Sequence, residues 1–279
     1  MLDVIIDTLL DTIKLIPFLL LTYLAMEYLE HKTGQKAQEL VRKAGKFGPV
    51  IGGALGIVPQ CGFSAAASNL YTGRVITLGT LLAIYLSTSD EMLPILISAQ
   101  APVQTIVFIL LAKAAIGIVA GFVVDLVFPA HKEEAHHIHE VCEQEHCHCE
   151  EGSIFRSALM HTVQIGCFIL IITFLLNLLF FFVGEDVLAE VILNRRILGP
   201  VLAAVVGLIP NCAGSVAITQ LYLEGVIGTG AMLSGLLTGT GVGLLILFRV
   251  NHDRKENLKI LGLLYFIGVL VGVVVGLIV

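Results

Sequence analysis

The sequence predicts an all-α integral membrane protein built as an inverted-topology repeat. Each half would hold three transmembrane helices and one re-entrant broken-helix hairpin, ten hydrophobic segments in all. Three observations predict this. Hydrophobic residues make up 57% of the 279 positions, charged residues only 14%, and mean hydropathy is +0.94. A water-soluble domain averages about 25% charged residues, so this chain has too few polar groups to cover a surface facing water. Apolar runs longer than about 18 residues recur, and in lipid only helices and closed barrels satisfy the backbone. Finally, residues 48–79, GPVIGGALGIVPQCGFSAAASNLYTGRVITLG, recur at 199–230 as GPVLAAVVGLIPNCAGSVAITQLYLEGVIGTG, with 13 of 32 positions identical at an offset of 151. Pro59 and Pro210, Cys61 and Cys212, Ser64 and Ser215, and Tyr71 and Tyr222 are among the identities. A repeat whose copies are Gly/Pro-interrupted apolar segments is a pointer to a transporter's substrate site.

The elements follow in order. The N-terminus carries Asp3, Asp7 and Asp11 and lacks a basic n-region. The run 4–30 therefore reads as a first span and not as a cleaved signal peptide. The repeat core 48–59 is about a dozen residues long before Pro-Gln-Cys-Gly interrupts it, and a second short run continues to Tyr71. A dozen helical residues rise about 18 Å, enough to reach the membrane midplane but not to cross it. Proline and small residues then turn the chain. Runs 75–98 and 103–128 read as uninterrupted spans and complete a first repeat over 1–129. A loop over 130–156 follows. Run 158–183, the second core at 199–210 with its limb to Tyr222, and runs 226–250 and 258–279 complete a second repeat over 157–279.

Charge orients these segments. Residues 31–46 hold Lys32, Lys36, Arg42, Lys43 and Lys46 against one acid, Glu39, and so belong in the cytoplasm. Residues 184–198 hold Glu185, Asp186 and Glu190 against Arg195 and Arg196, and read as external. Arg74 follows the first hairpin and Glu224 the second. Arg249, Arg254, Lys255 and Lys259 mark a further cytoplasmic loop. Together these place the N-terminus outside, the 130–156 loop inside, and the two hairpins on opposite faces of a plasma or inner membrane, so that their tips can meet.

The tips carry the chemistry. Each first limb ends in free carbonyls, and each second limb begins with free N–H groups around Gly62-Phe63-Ser64 and Ala213-Gly214-Ser215. Carbonyls suit cations, and N–H groups suit anions or polarised oxygens. Gln60 and Asn211 add amide oxygens, Ser64 and Ser215 hydroxyls, and Cys61 and Cys212 soft sulfurs that suit thiophilic ions. The bland reading of both cysteines is a small residue that lets helices pack closely. Asp90 and Glu91, within Ser87-Thr88-Ser89-Asp90-Glu91, are costly inside an apolar run and read as metal ligands or proton carriers. The rival reading ends the helix near Ser89 and lets Asp90 cap the next one. The matching stretch Thr238-Gly239-Thr240-Gly241 has no acid, so the site is asymmetric. Lys113, mid-span, would pair with Asp90 or Glu91 as an ion-coupling group, or else snorkel to an interface.

The stretch 131–151, HKEEAHHIHEVCEQEHCHCEE, concentrates His131, His136, His137, His139, Cys142, His146, Cys147, His148 and Cys149. Imidazole and thiolate at this density bind zinc-like or softer metals. The irregular spacing matches no closed four-ligand site. It reads as a flexible metal-capturing segment with weak affinity, set against a plain acidic linker.

These residues resemble a known family, the ten-transmembrane heavy-metal exporters, whose members are described as arsenic efflux proteins or manganese transporters. The resemblance lies in Gly-Ile-Val-Pro-Gln-Cys-Gly-Phe-Ser at 56–64, Ser-Thr-Ser-Asp-Glu at 87–91 and Gly-Leu-Ile-Pro-Asn-Cys-Ala-Gly-Ser at 207–215, with the His-rich loop between the halves. It covers nearly the whole chain and implies export of a metal or metalloid.

The expected function is a secondary transporter exporting a manganese-like divalent metal or an arsenical through a midplane site between the tips. The sequence has no P-loop pattern, so the energy would come from an ion gradient or a partner. The expected partners are the lipid bilayer and the transported ion, with a homodimer left open, no nucleic acid and no fixed cofactor. Rival readings are a transporter of a small anion or a sulfur or selenium compound, a membrane thiol-redox enzyme, and a metal sensor.

Overall fold

The computed structural model describes residues 36–59, 61–89, 92–128, 197–210 and 212–278, with single helical positions between 16 and 28 and between 159 and 174. Among the described residues every regular element is a helix. A helix over 36–43 leads into α1 (Gly48–Leu55), α2 (Cys61–Thr72), α3 (Leu78–Ser87), α4 (Met92–Ser98) and α5 (Val103–Val127). In the second half stand α6 (Leu198–Gly207), α7 (Cys212–Leu223), α8 (Thr229–Thr238), α9 (Gly243–Val250) and α10 (Arg254–Ile278). The starts and ends of α2, α3 and α5 recur in α7, α8 and α10 at the 151-residue offset of the sequence repeat. Duplication therefore extends well past the 32 residues in which identity is visible.

Two expectations need correction. The runs 75–98 and 226–250 are not uninterrupted helices. The first stops at Ser87 and resumes at Met92, and the second stops at Thr238 and resumes at Gly243. Hydroxyls end the first: Ser87 Oγ and Thr88 Oγ1 both donate to Ile84 O, at 3.1 and 2.7 Å, and Thr88 leaves helical geometry with ψ 129°. Gly239 ends the second in an extended conformation. The basic stretch at 254–259 is not a loop but the first turns of α10. Asp253 Oδ1 accepts from the N–H groups of Lys255 and Glu256 at 2.9 and 3.2 Å, which satisfies donors that have no helical partner.

α2 and α7 close in the same way. Arg74 N–H reaches Tyr71 O at 2.9 Å and Val75 N–H reaches Leu70 O at 2.9 Å, with Arg74 left-handed at φ 57°. Gly225 (φ 71°) and Val226 repeat both bonds to Tyr222 O and Leu221 O. This paired bonding uses up the last helical carbonyls and stops the limb after three turns.

Four described segments are long and apolar enough to cross a membrane: Leu78–Ser98, Val103–Val127, Thr229–Val250 and Arg254–Ile278. The broken pair forms the interior. Every residue of α3 is buried, as is α8 from Gly230 to Thr238. α5 and α10 lie outside them and expose apolar faces, including Val103, Leu126, Phe266 and Ile278, as a lipid-facing helix should. Within each half, α3 packs on α5 and α8 on α10 through small residues. A methyl added to Gly79 would meet Gly121 O, and one added to Gly230 would meet Gly272 O. Close backbone approach through glycine is how helices associate where lipid removes the hydrophobic drive. At the outer end of α3, Asp125 of α5 accepts from Thr77 Oγ1 and from Gly79 N–H, both at 2.7 Å, placing a carboxylate at a helix N-terminus.

The halves also interlock. α2 packs against α9, α7 against α4, and α3 against α8. One apolar cluster joins Tyr71, Ile76 and Val124 of the first half to Leu247 and Ile260 of the second. Another joins Leu96 and Ile106 to Val226, Ile227 and Val275. Lys259 Nζ sits 3.4 Å above the Phe128 ring, so α10 starts beside the end of α5 although the two helices are repeat equivalents.

Candidate functional site

The ends of α1 and α6 meet the helix breaks. Gly56, where α1 stops, lies against Ser87 at the end of α3, and a methyl there would meet Ser87 Oγ. Its equivalent Gly207 lies against Gly235 O and Thr238 Oγ1 at the end of α8. Thr238 Oγ1 also donates to Ala204 O of α6 at 3.0 Å. The ends of α1 and α6 are thus each seated on the break of their own half. Between halves, Gly243 at the start of α9 meets the Ser64 backbone of α2, and Ser64 is fully buried.

A buried polar cluster joins these ends. Ser68 Oγ lies 2.7 Å from Tyr85 OH, 2.8 Å from Gly243 O and 2.9 Å from Ser64 O. Ser68 and Tyr85 are both buried. The equivalents of Ser68 and Tyr85 are Thr219 and Leu236; Thr219 Oγ1 donates to Ser215 O at 2.7 Å.

Lys113 lies at the centre and is 1% exposed. Its Nζ donates to Thr88 O at 2.5 Å and to Leu236 O at 2.6 Å. Thr88 caps the C-terminus of α3, and Leu236 belongs to the last turn of α8. Each helix C-terminus carries roughly half a negative charge, so one ammonium answers two dipole ends. Burial of this kind sets aside the snorkelling reading. The equivalent position holds Leu264, also buried, so the charge belongs to one half alone.

Cys61 and Cys212 are the first residues of α2 and α7, as the repeat predicts. Asp90 and Glu91, with Gln60 and Asn211, lie outside the described residues. So do His131, His136, His137, His139, Cys142, His146, Cys147, His148 and Cys149. Among the described residues no group of three or more His, Cys, Asp or Glu side chains gathers into a metal site.

Two further features escaped sequence reasoning. Asn69 and Gln220 are repeat equivalents on α2 and α7, and among the described residues each keeps a buried side-chain oxygen without a hydrogen-bond partner. Such an oxygen costs about 1–3 kcal/mol to leave unpaired. At the outer end of α2, Glu256 of α10 accepts from Arg74 through both oxygens, at 2.8 and 3.2 Å, from Tyr71 OH at 2.6 Å and from Asn251 Nδ2 at 3.0 Å. This clamp ties the end of α2 to the second half. Asn69, Tyr71, Arg74 and Gln220 lie inside the visible repeat, and the alignment carried beyond residue 79 adds Tyr85 and Asp125, which face Leu236 and Gly276.

A protein-family model described as "Putative, 10TM heavy-metal exporter" matches the chain over residues 1–179 and 130–252. Comparison with curated proteins gives no match, and comparison with solved structures gives none.

Proposed function

The chain belongs to the heavy-metal exporter family, and from that premise we propose that it is a secondary transporter carrying a heavy-metal cation or a metalloid out of the cytoplasm through the central junction. One observation carries the reading: two helix breaks, each with the end of α1 or α6 against it, meet at a buried ammonium that bonds both halves. Broken helices expose carbonyls and N–H groups at depth, where unbroken helices offer no ligands. Cys61, Cys212, Gln60 and Asn211 supply the substrate's ligands at the tips, aided by Ser64 and Ser215. Asp90 and Glu91 supply carboxylates for the metal or for coupled protons. The contrast of sulfur with carboxylate fits either a soft or a manganese-like ion.

The two halves are inverted with respect to the membrane. In support, the end of α5 lies beside the start of its equivalent α10. Arg74, Arg254, Lys255 and Lys259 then share the cytoplasmic end, near which the His-rich loop leaves α5 and gathers metal. Removing 131–151 should leave most of the flux, whereas a sensor would lose its whole response.

The test is an elemental survey by inductively coupled plasma of cells with and without the protein, challenged with a panel of metals and metalloids. One element should accumulate less in cells that make the protein, and Cys61→Ala or Asp90→Ala should abolish the difference. No change for any element would sink the exporter reading. A second reading, transport of a small anion or a sulfur or selenium compound, is favoured by the buried Lys113 ammonium. Adding selenite and sulfite to the panel separates the two.

A further inference from the structure

We propose that Thr88 O and Leu236 O form a monovalent-cation site that the chain fills with its own ammonium, Lys113 Nζ. The two oxygens come from different halves of the protein and from the C-terminal ends of two buried half-helices. Such carbonyls lack a helical partner, and the aligned peptide dipoles behind them favour positive charge. Carbonyl oxygen is also the ligand that hard cations select. The ammonium approaches both at 2.5 and 2.6 Å, the short end for a charge-assisted bond. Packing alone does not require lysine here, because the repeat equivalent Leu264 fills the corresponding place with no polar atom. What the first half adds is a fixed cation where the two helix ends meet. The consequence for coupling rests on the transporter reading: export would need no sodium or potassium ion at this place. The site itself does not depend on that reading.

Purified protein in detergent tests it, by thermal unfolding in sodium chloride, potassium chloride and choline chloride at equal ionic strength. Wild type should show the same midpoint in all three salts. Lys113→Ala should unfold at a lower temperature in choline and recover in sodium or potassium, by roughly 5 °C at a hundred-fold excess over the dissociation constant. Lys113→Met retains the volume of the stem and serves where alanine prevents folding. A variant midpoint that does not distinguish alkali ions from choline overturns the site, as does alkali-specific stabilisation of wild type. Failure of metal export with this rescue intact would count against the transporter reading and leave the cation site standing.

Discussion

At Gly207 the backbone of α6 rests on the last turn of α8, and a methyl would strike Gly235 O as well as Thr238 Oγ1. Backbone cannot rotate away, so Gly207→Ala should lower stability by about 1–3 kcal/mol, the usual cost of overpacking. Gly56→Ala should cost less, because the first obstacle there is the Ser87 hydroxyl. Gly262 has nothing within 4 Å of the added carbon. Its alanine variant should unfold no earlier than wild type, and denaturation of the three variants side by side checks the order. At this scale the sequence was readable where the repeat preserved a residue. Pro59, Cys61, Pro210 and Cys212 mark the turns that the structure contains. It was not readable where a contact falls on backbone. Two of the groups that Lys113 bonds are carbonyls, of Thr88 and Leu236, and a carbonyl has no side-chain signature.

Among elements, the clamp between the end of α2 and the start of α10 is the contact best suited to measurement. Arg74 holds a left-handed conformation that its equivalent Gly225 adopts freely. For a non-glycine residue this costs about 1–2 kcal/mol. The two-pronged contact with Glu256 offsets part of that cost, less solvent screening, since the arginine side chain is 46% exposed. A double-mutant cycle with Arg74→Ala and Glu256→Gln should give a coupling of about 1 kcal/mol or less. Additive effects would show that the two side chains do not act together. The helix breaks were half legible. In 75–98 the polar stretch Ser87-Thr88-Ser89-Asp90-Glu91 allowed the rival reading that ends the helix near Ser89, whereas in 226–250 Thr and Gly barely lower hydropathy. The stops at Ser87 and Thr238 come from hydroxyl-to-carbonyl bonds and from glycine, which are local signals inside an apolar run. The interruptions before Cys61 and Cys212 were legible for the opposite reason: proline and a polar amide mark them twice, in register.

For the whole molecule the expectation is a pair of interlocked halves, entered from opposite faces, with their breaks around one cation. Single cysteines placed at 40 and at 252 should react with a membrane-impermeant thiol reagent from the cytoplasmic side, and one at 187 from outside. Labelling of all three from one side would exclude the inverted arrangement. Legibility at this scale came from loop charge, which groups Arg74 with Arg254, Lys255 and Lys259 at the start of α10, where Arg74 meets Glu256. The reciprocal packing of α2 on α9 and of α7 on α4 had no sequence signal, because contacts between halves are long-range and apolar. The central claim is that metal passes through the junction where the tips meet. Its most direct test is flux of the element identified by the cell survey, measured in proteoliposomes with purified wild type and with the Cys61→Ala, Cys212→Ala double variant. The account predicts wild-type flux and a loss of at least about ten-fold in the variant, the equivalent of about 1.4 kcal/mol in the barrier. Undiminished flux without either cysteine would contradict it.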